Sequence, residues 1–143
     1  LDDSYNASPS AVEEALSSLS LVPAKRRIAV LGDMLELGRY SAEEHERIGK
    51  LAAKHADIVV GVGPRSKKLS EAAFGTHKNK NRAHHFDEAY AAAVYLSGMI
   101  ETGDVILVKG SQSIRVERIV EALLADGNDT AHLVRQEREW KKR

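Results

Sequence analysis

Val105 Ile106 Leu107 Val108 Lys109 Gly110 Ser111 is the stretch on which the reading of this chain turns. An unbroken apolar run suits a strand buried on both faces, since a strand with one face in water would alternate apolar with polar side chains. A lysine, a glycine and a serine then close the run and lead into Ile114, Ile119, Val120, Leu123 and Leu124, which predict a helix. The same arrangement occurs upstream, where Arg27 Ile28 Ala29 Val30 Leu31 is closed by Gly32 Asp33, and Asp57 Ile58 Val59 Val60 by Gly61 Val62 Gly63. His84 His85 Phe86 reads as a shorter strand.

Helical patterns fill the intervals. Ser8 followed by Pro9 is a cap with proline at the first helical position, and Val12, Leu16 and Leu19 predict a helix over Pro9 to Leu19. Ser41 with Glu44 has the spacing of a capping box and opens a helix bearing Ile48, Leu51 and Ala52, to about His55. Pro64 predicts a helix from Arg65 to Ala73, and Asp87 caps one bearing Ala89, Ala92, Ala93, Leu96 and Ile100. Gly75 to Arg82 has no periodicity and is expected to be a mobile, basic loop. Strands alternating with helices imply an α/β fold of three layers, a mainly parallel sheet with helices on both faces.

Composition limits the function. At 143 residues, with 43% hydrophobic and 29% charged residues, the chain can bury the core of one domain. Residues 1–125 are expected to form it, and residues 126–143 a charged tail, partly helical or disordered. The 21 basic residues equal the 21 acidic ones, so no overall field draws the chain to nucleic acid or an anionic membrane. The lack of cysteine excludes disulfides, thiolate metal sites and a cysteine nucleophile. No apolar run approaches the roughly 20 residues of a membrane span, and Leu1 Asp2 Asp3 does not open like a signal peptide, so the chain reads as soluble and cytoplasmic.

Ligands of an open α/β sheet bind outside the carboxyl ends of its strands, where Gly32 Asp33, Gly61 Val62 Gly63 and Lys109 Gly110 Ser111 all fall. Gly61 and Gly63 lack the third glycine of a dinucleotide fingerprint, which favours a tight turn. Lys109 and Ser111 ahead of a helix suit a carboxylate or phosphate, the alternative being a turn with a solvated lysine. Asp33 and Glu36 are either paired carboxylates or one strand-end acid with a solvated neighbour. No phosphate-binding loop is encoded, since Gly49 Lys50 runs on to Leu51 inside a helix. His45 and His55 are too far apart for an i,i+4 metal pair, and His84 and His85 should point to opposite faces of a strand, so no metal site is expected.

Taken together, Asp2 Asp3 Ser4 Tyr5 Asn6 Ala7 Ser8 Pro9, Gly32 Asp33 Met34 Leu35 Glu36 Leu37 Gly38, His45, Gly49, and Lys109 Gly110 Ser111 with Glu117 resemble the carboxy-terminal, Rossmann-like domain of the Mur ligases. The similarity runs in order from about Asp2 to Leu124 and is strongest to the members that add D-alanyl-D-alanine to UDP-N-acetylmuramoyl-tripeptide. It implies a peptidoglycan-precursor ligase that uses ATP and Mg2+ to make an acyl phosphate, which the dipeptide amine attacks. In such an enzyme an amino-terminal domain holds the UDP-sugar, a central ATPase domain holds most of the ATP and magnesium, and this domain closes over the centre. The isolated domain is then expected to be inactive.

The resemblance also assigns residues. Asp3, Tyr5 and Asn6 would meet ATP near its base and ribose, while Lys109 and Ser111 would hold the dipeptide carboxylate, with Asp33 near its amine. Where the family often has a basic residue and a methionine this chain has Gln112 and Val116, and Arg65 could supply the missing positive charge. No catalytic residue is assigned to this domain. A stand-alone nucleotide or small-ligand binding module, or an interaction domain, would share the same fold.

Overall fold

Apolar runs become strands and periodic segments become helices, in the order β1 (Asp2–Asp3), α1 (Pro9–Leu21), β2 (Arg26–Gly32), α2 (Ser41–His55), β3 (Ile58–Val62), α3 (Lys67–His77), β4 (Ala83–Phe86), α4 (Ala89–Met99), β5 (Asp104–Lys109) and α5 (Glu117–Leu123). The computed structural model describes residues 1–3, 7–77 and 81–124, without the side chains of Asp2 and Asp3. All five strands are parallel, in the order β1-β5-β2-β3-β4. The centre of the sheet is β2, which pairs with β5 from Arg26 opposite Asp104 to Leu31 opposite Lys109, and with β3 from Ile28 opposite Ile58 to Gly32 opposite Val62.

Period-two alternation divides the core. Ala29, Leu31, Val59 and Leu107 face one side, covered by Val12, Leu16 and Leu19 of α1, Ile48 and Ala52 of α2, and Leu69 and Ala73 of α3. Ile28, Val30, Val60, Val62 and Val108 face the other, under Ala92 and Leu96 of α4 and Ile119 of α5. Each fully buried Leu, Ile or Val contributes about 1.5–3 kcal/mol relative to exposure, so these two clusters are the main driving force for the three-layer α/β arrangement. No helix among the described residues is long and apolar enough to cross a membrane.

Local details depart from the sequence expectations in several places. Ser8 does cap α1, its Oγ accepting from Ala11 N at 3.2 Å, but Ser41 is the first residue of α2 rather than its cap. A 3₁₀ turn over Gly38–Tyr40 feeds directly into that helix, and Glu44 is engaged with Arg47 instead of closing a capping box. α3 begins two residues later than Arg65 and runs through Gly75 to His77, into the expected loop. Its last turn is docked on the end of α2, where His77 Nε2 lies 2.8 Å from Ala53 O and 3.0 Å from Ala56 O. α4 is preceded by Glu88, so Asp87 is not its cap. Past β5 the chain forms a 3₁₀ turn over Gln112–Ile114, and α5 starts only at Glu117, because Arg115 breaks the helical path with φ 57°. The expected tail, residues 126–143, lies outside the described residues.

Candidate functional site at the carboxyl edge of the sheet

Asp33 follows β2 and is the hub of this edge. The residue is fully buried, and its carboxylate is occupied within the protein: Oδ1 accepts from Ser66 N at 2.7 Å and Ser66 Oγ at 2.8 Å, and Oδ2 accepts from Arg65 N at 3.2 Å. The Arg65 guanidinium stands 3.6 Å from Oδ2 with about half of its side chain in solvent. The backbone of Asp33 is equally committed, its N–H donating to Val62 O and its carbonyl accepting from Ser111 N. A buried charge needs such donors, since each unmade bond would cost on the order of 1–3 kcal/mol. Gly63 makes the arrangement possible: its φ is 104°, and a Cβ there would come within 2.7 Å of Asp33 Oδ1. Glu36 is exposed and carries a φ of 62°, so it and Asp33 do not share one environment as paired carboxylates.

The β5 turn is built differently from expectation. Lys109 and Ser111 are both only 3% exposed, so the alternative of a turn with a solvated lysine does not hold. They precede a 3₁₀ turn, so no α-helix N-terminus points its amides at this position. Ser111 Oγ accepts from Leu35 N at 3.1 Å, a bond that fixes the oxygen yet leaves the hydroxyl hydrogen to donate. Gln112 is half-buried. Val116 packs over the close approach of β2 and β5, where a Cβ on Gly32 would come 2.9 Å from Val116 Cγ1 and 3.0 Å from Gly110 Cα. Arg115 and Glu117 are buried and paired through Nε and Oε1.

Asp3 reaches the same edge by its backbone, because β1 pairs with β5 and sets Asp3 opposite Lys109. The side chain of Asp3, and Tyr5 and Asn6 altogether, lie outside the described residues. A hollow of about 340 Å3 opens between Asp87, Glu88, Ala89 and Tyr90 at the start of α4 and Ser113, Ile114, Arg115 and Arg118 beyond β5. Thus Asp33, Arg65, Lys109 and Ser111 gather on one edge, with Asp33 turned inward and Arg65 outward. Sequence reasoning missed Ser66, whose signal was its place just past the Gly61 Val62 Gly63 Pro64 turn, and Arg115, whose buried pairing with the already quoted Glu117 carried no mark of its own. Among the described residues no three His, Asp or Glu side chains converge as a metal site.

Fold and site together define a doubly wound parallel α/β domain whose buried polar side chains gather at the carboxyl edge of its sheet. A model of the Mur ligase glutamate ligase domain matches residues 1–112, and the chain belongs to the Mur ligase family. It is 37% identical over 130 residues to the UDP-N-acetylmuramoyl-tripeptide--D-alanyl-D-alanine ligase of Escherichia coli, covering 89% of this chain and 27% of that protein. The ligase of the same name from Mycobacterium tuberculosis is 33% identical over 154 residues, covering 94% of this chain and 30% of the relative. Among solved structures, the MurF ligase of Thermotoga maritima in complex with ADP superimposes with a TM-score of 0.70 at 30% identity, over 92% of this chain and 28% of that one. MurF of Acinetobacter baumannii gives a TM-score of 0.75 at 28% identity, over 85% of this chain and 27% of that one. The chain therefore spans less than a third of the length of these relatives.

Proposed function

We propose that this chain is the closing domain of an ATP-dependent ligase that joins D-Ala-D-Ala to UDP-N-acetylmuramoyl-tripeptide in the cytoplasm. The observation that carries this reading is the meeting of Arg65, Lys109 and Ser111 on the carboxyl edge, with the backbone of Asp3 in register beside Lys109. The names of the relatives support the choice of substrates. ATP would phosphorylate the tripeptide carboxylate, giving an acyl phosphate and ADP. The dipeptide amine would then attack the acyl carbon, lose a proton and expel inorganic phosphate as the amide forms.

In this reading Arg65 and the Ser111 hydroxyl hold the dipeptide carboxylate, and Lys109 supplies positive charge behind them. Asp33 orients Arg65 and Ser66 instead of receiving the amine, since its oxygens already accept from those two residues. Asp3, Tyr5 and Asn6 would serve the base and ribose of ATP. Magnesium and the β- and γ-phosphates would belong to the central domain of the complete enzyme, with the amino-terminal domain holding the UDP-sugar.

Arg65 is the cleanest probe because its side chain is half in solvent, whereas Lys109 and Ser111 are buried and their loss would also disturb folding. In the complete ligase Arg65→Met should raise KM for D-Ala-D-Ala by roughly 10- to 100-fold, the loss of a charge-assisted hydrogen bond, and leave KM for ATP unchanged. A rise in the ATP constant alone would move this edge to the nucleotide. The chain alone should release no ADP from ATP, and turnover by it would refute the division of labour.

A further inference from the structure

His45 stands apart from the residues assigned above, yet it is fully buried at the same edge with both ring nitrogens engaged. Nδ1 lies 2.7 Å from Ser41 O, an atom that can only accept, so Nδ1 carries the hydrogen. Nε2 then has only its lone pair, and it accepts from Met34 N at 3.0 Å. The imidazole is thereby held in one tautomer, between the first turn of α2 and the loop that follows β2. One residue past Met34, Leu35 N donates to Ser111 Oγ at 3.1 Å, and Ser111 N donates back to Asp33 O at 3.0 Å.

We propose that His45 is a positioning residue: by holding Met34 N–H it sets the neighbouring Leu35 N–H, which aims the Ser111 hydroxyl at the incoming substrate's carboxylate. The chain His45, Met34, Leu35, Ser111 connects α2 to the β5 turn without any contact between the histidine and substrate. An imidazole suits this task because a single rigid ring spans a carbonyl on one side and an amide on the other. The substrate half of the inference rests on the dipeptide-ligase reading; the hydrogen-bond half does not.

The test therefore has two arms. In this chain labelled with 15N-histidine, the His45 ring should show a protonated Nδ1 and an unprotonated Nε2, and the opposite assignment would overturn the inference. Amide exchange at Leu35 should quicken in His45→Leu and slow again in His45→Gln, whose carbonyl restores an acceptor; unchanged exchange in His45→Leu would also overturn it. In the complete ligase, His45→Leu should raise KM for D-Ala-D-Ala about tenfold, equivalent to about 1.4 kcal/mol, with KM for ATP unmoved. His45→Gln should recover most of that loss. Because His45 acts through Ser111, the double variant His45→Leu/Ser111→Ala should be no worse than Ser111→Ala alone, whereas additive losses would reduce His45 to a general packing role. Should the unaltered ligase show no ADP release dependent on D-Ala-D-Ala, the substrate reading fails, and the ring assignment and Leu35 exchange still decide the positioning claim.

Discussion

The two edges of the sheet handle buried charge in opposite ways. At the amino edge Arg26 and Asp104, opposite each other at the start of β2 and β5, form a two-point pair with bonds of 2.8 and 2.6 Å. Arg27 there spends its side chain on the Leu19 and Val22 carbonyls, and its N–H on Asp57. With Arg26 Nη2 donating to Met99 O, these bonds close the ends of α1 and α4 and the start of β3. At the carboxyl edge Asp33, His45, Ser66, Lys109, Ser111, Arg115 and Glu117 are all buried, and the hydrogen bonds of Asp33, His45 and Ser111 link the loops after β2, β3 and β5. Buried polar groups are costly, so a fold that needed only stability would not accumulate them at one edge. Among the described residues, both with positive φ other than glycine, Glu36 and Arg115, lie in loops of that same edge.

Three substitutions sharpen this contrast. Asp33→Ala should have the largest effect, lowering unfolding free energy by about 3 kcal/mol or more, because Ser66 N and Arg65 N lose their acceptor and Ser66 Oγ keeps only Val62 O. Denaturant titration reads that loss, and a value below that of any amino-edge variant would break the contrast. Gly63→Ala should cost about 2 kcal/mol through its φ of 104° and the approach of a Cβ to Asp33. Since part of that cost is contact with the carboxylate, the Asp33→Ala/Gly63→Ala double variant should lose less than the sum of the two.

Asp104→Asn should be the mildest and purely structural, with ligase kinetics unchanged. The hydrogen bond from Arg26, aided by the Glu101 N–H, holds the Asp104 carboxyl below its usual 3.8. A depressed folded-state pKa stabilises the protein at pH values above 3.8 and loses that contribution as pH falls through the lower folded value. The gap in stability between the parent and Asp104→Asn should therefore be full at neutral pH and close in acid, as urea titrations across that range will read. A gap that grows in acid would contradict the pairing.

The β2, β3 and β5 strands are legible in the sequence because burial on both faces demands unbroken apolar runs, and a glycine ends β2 and follows the other two. β1 is not, since it is two aspartates whose strand character comes only from pairing with β5. The edge chemistry of Lys109, Ser111, Asp33 and Arg65 is visible as residue types at strand ends. The burial of Asp33, Lys109 and Ser111 is not, because it arises from contacts between residues 32 to 76 positions apart, such as Asp33 with Arg65 and Leu35 with Ser111. The break before α5 escapes notice for a simpler reason: an arginine in a left-handed conformation has no compositional mark, unlike a glycine.

The strand order has a consequence for how the chain comes to be folded. β2 forms early in the sequence, but one of its two flanks is filled by β5, so Arg26 must wait for Asp104, 78 residues later. Until then a synthesised chain can zip β2 to β3 and β4, with α2 and α3 laid over one face, while the other side of its central strand stays an open row of amides and carbonyls. Closing that gap is a long-range step, slow by topology, and it is the event that assembles the Gly32 and Gly110 turns into one edge. Assembly of the carboxyl edge and completion of the sheet are thus the same kinetic event, and a chain cut short before β5 would present a sticky half-sheet rather than a weakened domain.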